Sequence, residues 1–73
     1  MNQKKQRRIA SNLLITPEKN ELIQHVITLE EGCVASMHPL EKEEADTEWL
    51  QGSITLKKEP AGVRAYYQGK LLT

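Results

Sequence analysis

Apolar and polar residues alternate along much of the chain, which predicts β-strands. In the first such segment, residues 8–16, the apolar side chains of Ile9, Leu13 and Ile15 have the same parity. Residues of one parity lie on one face of a strand, so these three are expected to face the core. Pro17 follows and ends this strand in a turn.

The next two segments predict a β-hairpin. Residues 22–29 are rich in β-branched residues, and residues 33–38 form a return strand that ends before Pro39. Gly32 lies between them, where its freedom to adopt a positive φ suits a tight turn.

The second half of the chain begins with a polar stretch. Residues 41–48 contain good helix formers but too few apolar positions for a buried helical stripe, so this stretch is either one or two helical turns or an ordered loop. Alternation resumes over residues 50–57, a turn follows at 59–62, and residues 63–68 form a further strand.

These elements predict a mainly β fold. We expect about five short antiparallel strands joined in hairpins, as a small sheet, sandwich or barrel, with at most one short helix near 41–48. Residues 1–7 lack periodicity and are expected to be a flexible basic arm. Residues 8–73 would then be a single small domain.

Composition indicates a thin core. Leu, Ile and Val supply 17 of 73 residues, and the chain has no Phe, so little apolar surface is available for burial. The single Cys33 cannot form an internal disulfide. A lone thiol without a recognisable signal peptide suggests a reducing cytoplasm, and no apolar run is long enough to span a membrane.

The first hairpin is apolar on both predicted faces. Ile23, Ile27 and Leu29 lie on one face, and Val26 and Met37 on the other. A hairpin of this kind needs cover on both sides, and in so short a chain a second copy could supply it. We therefore expect a homodimer, with interface candidates Val26, Met37, Trp49 and Tyr66. Trp49, the only tryptophan, is equally suited to be a core anchor or a contact with a partner.

The same hairpin contains both histidines of the chain. A two-residue turn at 31–32 would pair Glu30 with Cys33 and place His25 directly opposite His38. Two imidazoles so placed could share a metal ion or respond to pH, although a structural zinc site needs four ligands. A three-residue turn would separate them, and the commoner role of such histidines is packing or hydrogen bonding at a sheet edge.

The second hairpin allows two registers. A turn centred on Pro60 and Ala61 would place Lys57 opposite Arg64, a like-charge pair that is unfavourable. A turn centred one residue later pairs Glu59 with Arg64 instead. We expect the second register.

The net charge of zero hides two opposite segments. Four cations lie among the first eight residues, and five carboxylates against one lysine lie within 41–48. The basic arm could contact nucleic-acid phosphates or attract the acidic segment, within one chain or between two; an ordinary solvated tail is the simplest interpretation. The phosphate-contact candidates are Lys4, Lys5, Arg7 and Arg8.

Recognised catalytic motifs are absent from the sequence. It contains no nucleophile-elbow serine motif, no phosphate-binding glycine loop and no metal-binding His-x-His or Cys-x-x-Cys. Cys33 has no histidine on its predicted face to act as its base. We therefore expect neither catalysis nor a cofactor.

Three segments carry a resemblance to a known family. Residues 13–17, 26–32 and 49–54 resemble the N-terminal β-domain of amidohydrolase-type enzymes, where such strands precede a metal-binding barrel. The family's metal-binding His-x-His is missing, so the resemblance implies a β-sandwich-like scaffold without activity. The chain is also similar to small bacterial proteins with no assigned activity.

The expected function is therefore that of a small protein-interaction or structural domain that self-associates. One alternative is a basic-armed regulator associated with nucleic acid. The other is a small ligand or metal-binding module that uses His25 and His38.

Overall fold

A computed structural model describes residues 6–73 and shows six strands in one sheet, which confirms the mainly β prediction. The strand order across the sheet is β3-β2-β1-β4-β5-β6. The strands are β1 (Gln6–Ile15), β2 (Glu21–Glu30), β3 (Cys33–Pro39), β4 (Thr47–Glu59), β5 (Gly62–Tyr67) and β6 (Lys70–Leu71).

One pairing differs from the expected antiparallel hairpins. β1 and β4 are parallel, whereas the other four pairs are antiparallel. β1 begins at Gln6 rather than at residue 8, so the last two residues of the expected arm belong to the sheet. The part of the chain from Gln6 onward contains no helix, and hence none that could cross a membrane. Residues 40–46 form a loop between β3 and β4.

The core lies on the inner face of the curved sheet. Every strand except β6 contributes apolar side chains to it, and Leu72, just after β6, closes it. The fully or nearly fully buried members are Ile9, Leu14, Ile27, Leu29, Ile54, Leu56, Ala65 and Leu72.

The prediction of which β1 side chains face the core is wrong for the second half of that strand. Ile9 and Leu14 are fully buried, whereas Leu13 and Ile15 are only half-buried. An irregularity at Asn12 causes this switch, because β4 places two residues opposite that position and the Asn12 Oδ1 accepts the Gly52 N–H at 2.7 Å.

The partner strand changes face at the same level. Gln24 has a positive φ of 51°, a conformation that interrupts regular strand alternation. Ile23 was expected on the face of Ile27 and Leu29, but its side chain is 73% exposed while theirs are buried.

The register of the first hairpin matches the prediction only near its turn. Glu30 pairs with Cys33 and Leu29 with Val34, but a bulge at Ala35 then shifts the ladder by one residue. His25 consequently lies opposite Pro39, and His38 opposite Val26. The expected direct His25–His38 pairing is therefore wrong.

The register expected for the second hairpin is also wrong. Lys57 lies opposite Arg64, and Glu59 opposite Gly62. The like-charge pair is tolerated because each of its two cations has a favourable partner outside the pair. The Lys57 ammonium lies 5.0 Å from the centre of the Tyr66 ring, and the Arg64 guanidinium donates to the Gly32 carbonyl at 3.1 Å.

Curvature of the sheet brings the start of β3 close to the start of β5. The Cys33 thiol donates to the Ala61 carbonyl at 3.6 Å. The described residues form no backbone ladder between β3 and β5, so the sheet is an incompletely closed barrel with an open seam.

Candidate interaction surfaces

The outer face of the sheet carries a row of four residues in register. His38 pairs with Val26, Val26 with Ala10, and Ala10 with Trp49. Since directly paired residues share a face of the sheet, these side chains lie side by side. Val26 and Ala10 are 0% and 1% exposed, so something covers the middle of the row.

The cover comes from the same chain. The loop of residues 40–46, which we call the crossover segment, connects β3 to β4 and so must pass β2 and β1. Its residues Leu40 and Ala45 line the same groove as Ala10 and Trp49. Val26 is thus buried within one chain, without the second copy that was expected to cover it. Met37, expected on the same face as Val26, instead pairs with the buried Ile27, because the bulge at Ala35 shifts the register, and so lies on the inner face.

A histidine–carboxylate pair fixes the crossover segment to β3. The His38 Nε2 lies 2.8 and 3.0 Å from the two carboxylate oxygens of Glu44. The His38 side chain remains 42% exposed and that of Glu44 25% exposed. The segment is also attached to β2, because the Leu40 N–H donates to the Gln24 carbonyl at 2.8 Å.

The two histidines do not form a shared site. The His25 Nδ1 lies 3.1 Å from the Ile23 carbonyl, whereas His38 is bonded to Glu44. Neighbouring residues of a strand point to opposite faces, so His25 projects away from the face of Val26. His38 pairs with Val26 and shares its face, so the two histidines lie on opposite faces of the sheet. Within residues 6–73, no three His, Cys, Asp or Glu side chains are close enough together to hold a metal ion.

A groove remains between the crossover segment and Trp49. Its volume is about 650 Å³, Ala10 lies at its floor, and three carboxylate residues lie around it: Glu43, Glu44 and Glu48. The Trp49 side chain is 48% exposed, so Trp49 is not the core anchor that one interpretation of the sequence suggested.

The basic and acidic segments meet at one end of this groove. The Arg7 guanidinium binds both carboxylate oxygens of Glu48, at 2.7 and 2.9 Å, and also donates to the Thr73 carbonyl at 2.8 Å. The hydrogen bonds to Arg7 lower the pKa of Glu48, and the same contact raises the pKa of Arg7. Arg8 is exposed, and Lys4 and Lys5 lie outside the described residues.

Tyr66 is half-buried on the outer face of the β4–β5 hairpin. Its hydroxyl donates to the Glu59 carboxylate at 2.5 Å, which raises the pKa of the phenol. Lys57 covers its ring. Both of these neighbours occupy surface that a partner would otherwise contact.

The second notable surface is the edge of β3 that has no neighbouring strand in the described part of the sheet. Ala35, Ser36 and Met37 are exposed, and Met37 retains 39% of its accessible surface. The open seam beside this edge has a volume of about 370 Å³ and is lined by Val34, Met37 and Val63, among others.

Sequence reasoning missed the groove because its parts are far apart in the chain. Residues 41–48 read as a solvated charged run, and nothing local places Glu43 or Glu44 beside Ala10. The one feature of the sequence that could have indicated this groove is the position of Trp49 directly after the acidic residues 41–48. Comparison with known protein families, with curated proteins and with solved structures found no match to this chain.

Proposed function

We propose that this chain is a non-catalytic protein-interaction domain that forms a homodimer through the edge of β3. The observation that carries the proposal is the composition of that edge. From Cys33 to His38 it contains no Asp, Glu, Lys or Arg, although 27% of the whole chain is charged. Its three central residues are exposed.

An edge strand offers unpaired backbone N–H and C=O groups to another strand. Charged side chains commonly block such pairing, and β3 has none over this stretch. The bulge at Ala35 and the terminal Pro39 limit the regular ladder to a few residues. We therefore expect a weak dimer, in which antiparallel β3–β3 hydrogen bonds are supplemented by burial of the half-exposed Met37.

Val26 does not support this dimer, since the crossover segment already covers it. Met37 lies on β3 and would be central to the contact. Trp49 and Tyr66 lie on other parts of the sheet and would remain outside it.

Analytical ultracentrifugation from about 5 to 500 μM tests the proposal, because a weak dimer populates in this range. We expect the weight-average mass to rise above the 8.3 kDa of one chain as concentration increases. Ser36→Lys places a charge on the exposed edge of β3 and should raise the dissociation constant of the dimer at least tenfold.

Ser53→Lys is the matched control, because Ser53 is also an exposed serine but lies on β4, inside the sheet. It should leave association unchanged. A mass of one chain at every concentration would contradict the proposal, as would equal effects of the two lysine substitutions in variants that retain the same circular dichroism spectrum.

The cytoplasm is the proposed location, on the basis of the lone Cys33 thiol. The resemblance to the N-terminal domain of amidohydrolase-type enzymes stays a prediction, and what it implies for this chain is a β-scaffold without catalytic activity. Two of the four phosphate-contact candidates for the nucleic-acid alternative lie among the described residues. Arg7 already binds Glu48 and the Thr73 carbonyl, and Arg8 is exposed. No geometry in this part of the chain favours that alternative over self-association.

A further inference from the structure

The groove beside Trp49 has features that self-association through β3 does not use. It lies on the outer face of the sheet, between the crossover segment and the start of β4. Its apolar surface comes from Ala10, Leu40, Ala45 and Trp49. A large aromatic side chain that is 48% exposed in such a groove supplies a contact surface for a ligand.

The indole of Trp49 has no cation over its face among residues 6–73, although Lys57 occupies the corresponding position over Tyr66. Tryptophan has the most favourable ring for a cation–π contact. The indole N–H also has no hydrogen-bond acceptor within this part of the chain. Trp49 is therefore available to a positively charged group.

The carboxylates around the groove are not equally available. Glu48 is neutralised by Arg7, and Glu44 is bonded to His38. Glu43 is exposed and has neither a salt bridge nor a side-chain hydrogen bond within residues 6–73. Glu43 and Trp49 thus line the same groove, and neither side chain has a polar or charged partner within residues 6–73.

We propose that this groove binds a lysine or arginine side chain presented by a basic segment of another protein. The ammonium or guanidinium group would lie over the Trp49 indole and pair with Glu43, and its aliphatic stem would pack against Leu40 and Ala45. Charge complementarity selects this occupant, because the groove bears carboxylates around an aromatic wall and carries no unpaired cation among its lining residues.

The intrinsic fluorescence of Trp49 tests the proposal directly, since it is the only tryptophan in the chain. The probe is a short acetylated and amidated peptide with two lysines separated by glycine. Titration into the full chain at low ionic strength should give a saturable change in emission. The same peptide with both lysines acetylated should give none, because it lacks the charge.

Glu43→Gln is the informative variant, because Glu43 is exposed and its substitution leaves the packing intact. It should weaken lysine-peptide binding by about fivefold or more through loss of a charge-assisted hydrogen bond. Glu21→Gln removes an exposed carboxylate at the start of β2 that lines neither this groove nor the seam beside β3, and it should leave binding unchanged.

Three results would overturn the proposal: no saturable change, equal binding of the acetylated peptide, or equal effects of the two glutamine variants. A fourth is a large emission change in unliganded Lys4→Gln/Lys5→Gln protein, which would identify the chain's own basic segment as the occupant. Ser36→Lys separates this site from the β3 edge, since that variant should dimerise at least tenfold more weakly and retain peptide binding.

Discussion

The inner and outer faces of the sheet are stabilised in different ways. The inner face is filled by aliphatic side chains from five strands and Leu72, and most are completely buried. The outer face buries only Ala10 and Val26 in its central row, beneath a loop attached by the His38–Glu44 pair. Most of the few large apolar side chains of this chain lie on the inner face. The outer face therefore retains an open groove beside the exposed Trp49.

The largest expected effect compares neighbouring residues of β2 that point to the two faces. Ile27→Ala should lower the free energy of unfolding by about 3–4 kcal/mol, because it leaves a cavity among buried aliphatics. Val26→Ala should cost about 1–2 kcal/mol, since fewer atoms are removed and the covering loop can relax.

Urea denaturation of both variants measures this difference. If Ile27→Ala is unfolded without denaturant, Ile27→Val gives a graded substitute with an expected cost of about 1 kcal/mol. An outer-face substitution as costly as the one on the inner face would show that the crossover segment packs as tightly as the core.

The C-terminal residues provide a smaller test of the same contrast. Leu72 is 9% exposed and its backbone N–H donates to the Ala65 carbonyl at 2.9 Å, whereas Leu71 is 44% exposed. Leu72→Ala should therefore cost about 2 kcal/mol and Leu71→Ala less than about 0.5 kcal/mol. Thermal unfolding followed by circular dichroism distinguishes them, and equal shifts in Tm would mean that Leu72 does not complete the core.

The smallest expected effect concerns the ion pair at the end of the groove. Because Arg7 lowers the pKa of Glu48, this carboxylate stabilises the fold above its ordinary pKa of 4.5, and the contribution is lost as pH falls through the lower folded value. The Glu48 side chain is 46% exposed, so solvent limits the gain to about 0.5–1 kcal/mol.

Tm measured between pH 7 and pH 3 isolates this contribution. Glu48→Gln should be slightly less stable at neutral pH and should lose less stability on acidification than the unmodified chain. Glu43→Gln, which removes an exposed carboxylate without a described partner, should retain the full acid dependence. An acid dependence that is unchanged in Glu48→Gln would contradict the role of the Arg7 contact.

Registers show where sequence reasoning stops. The turn at Gly32 was predicted because glycine tolerates the φ of 82° found there. The bulge at Ala35 was not, since alanine carries no local signal for a bulge, and it alone separates His25 from His38. Charge repulsion argues against the Lys57–Arg64 pairing when only the sequence is considered. In the structure the Tyr66 ring lies near the Lys57 ammonium and the Gly32 carbonyl accepts a hydrogen bond from Arg64, and these contacts offset the repulsion.

The sequence by itself determined that the chain is mainly β, because alternation and turn-forming residues act over only a few positions. It also determined that the charge is divided between an N-terminal and a central segment. Tertiary structure decided the parallel β1–β4 pairing and the placement of the crossover segment over Ala10 and Val26. These features join residues that are tens of positions apart, and burial of the assembled inner and outer faces selects them.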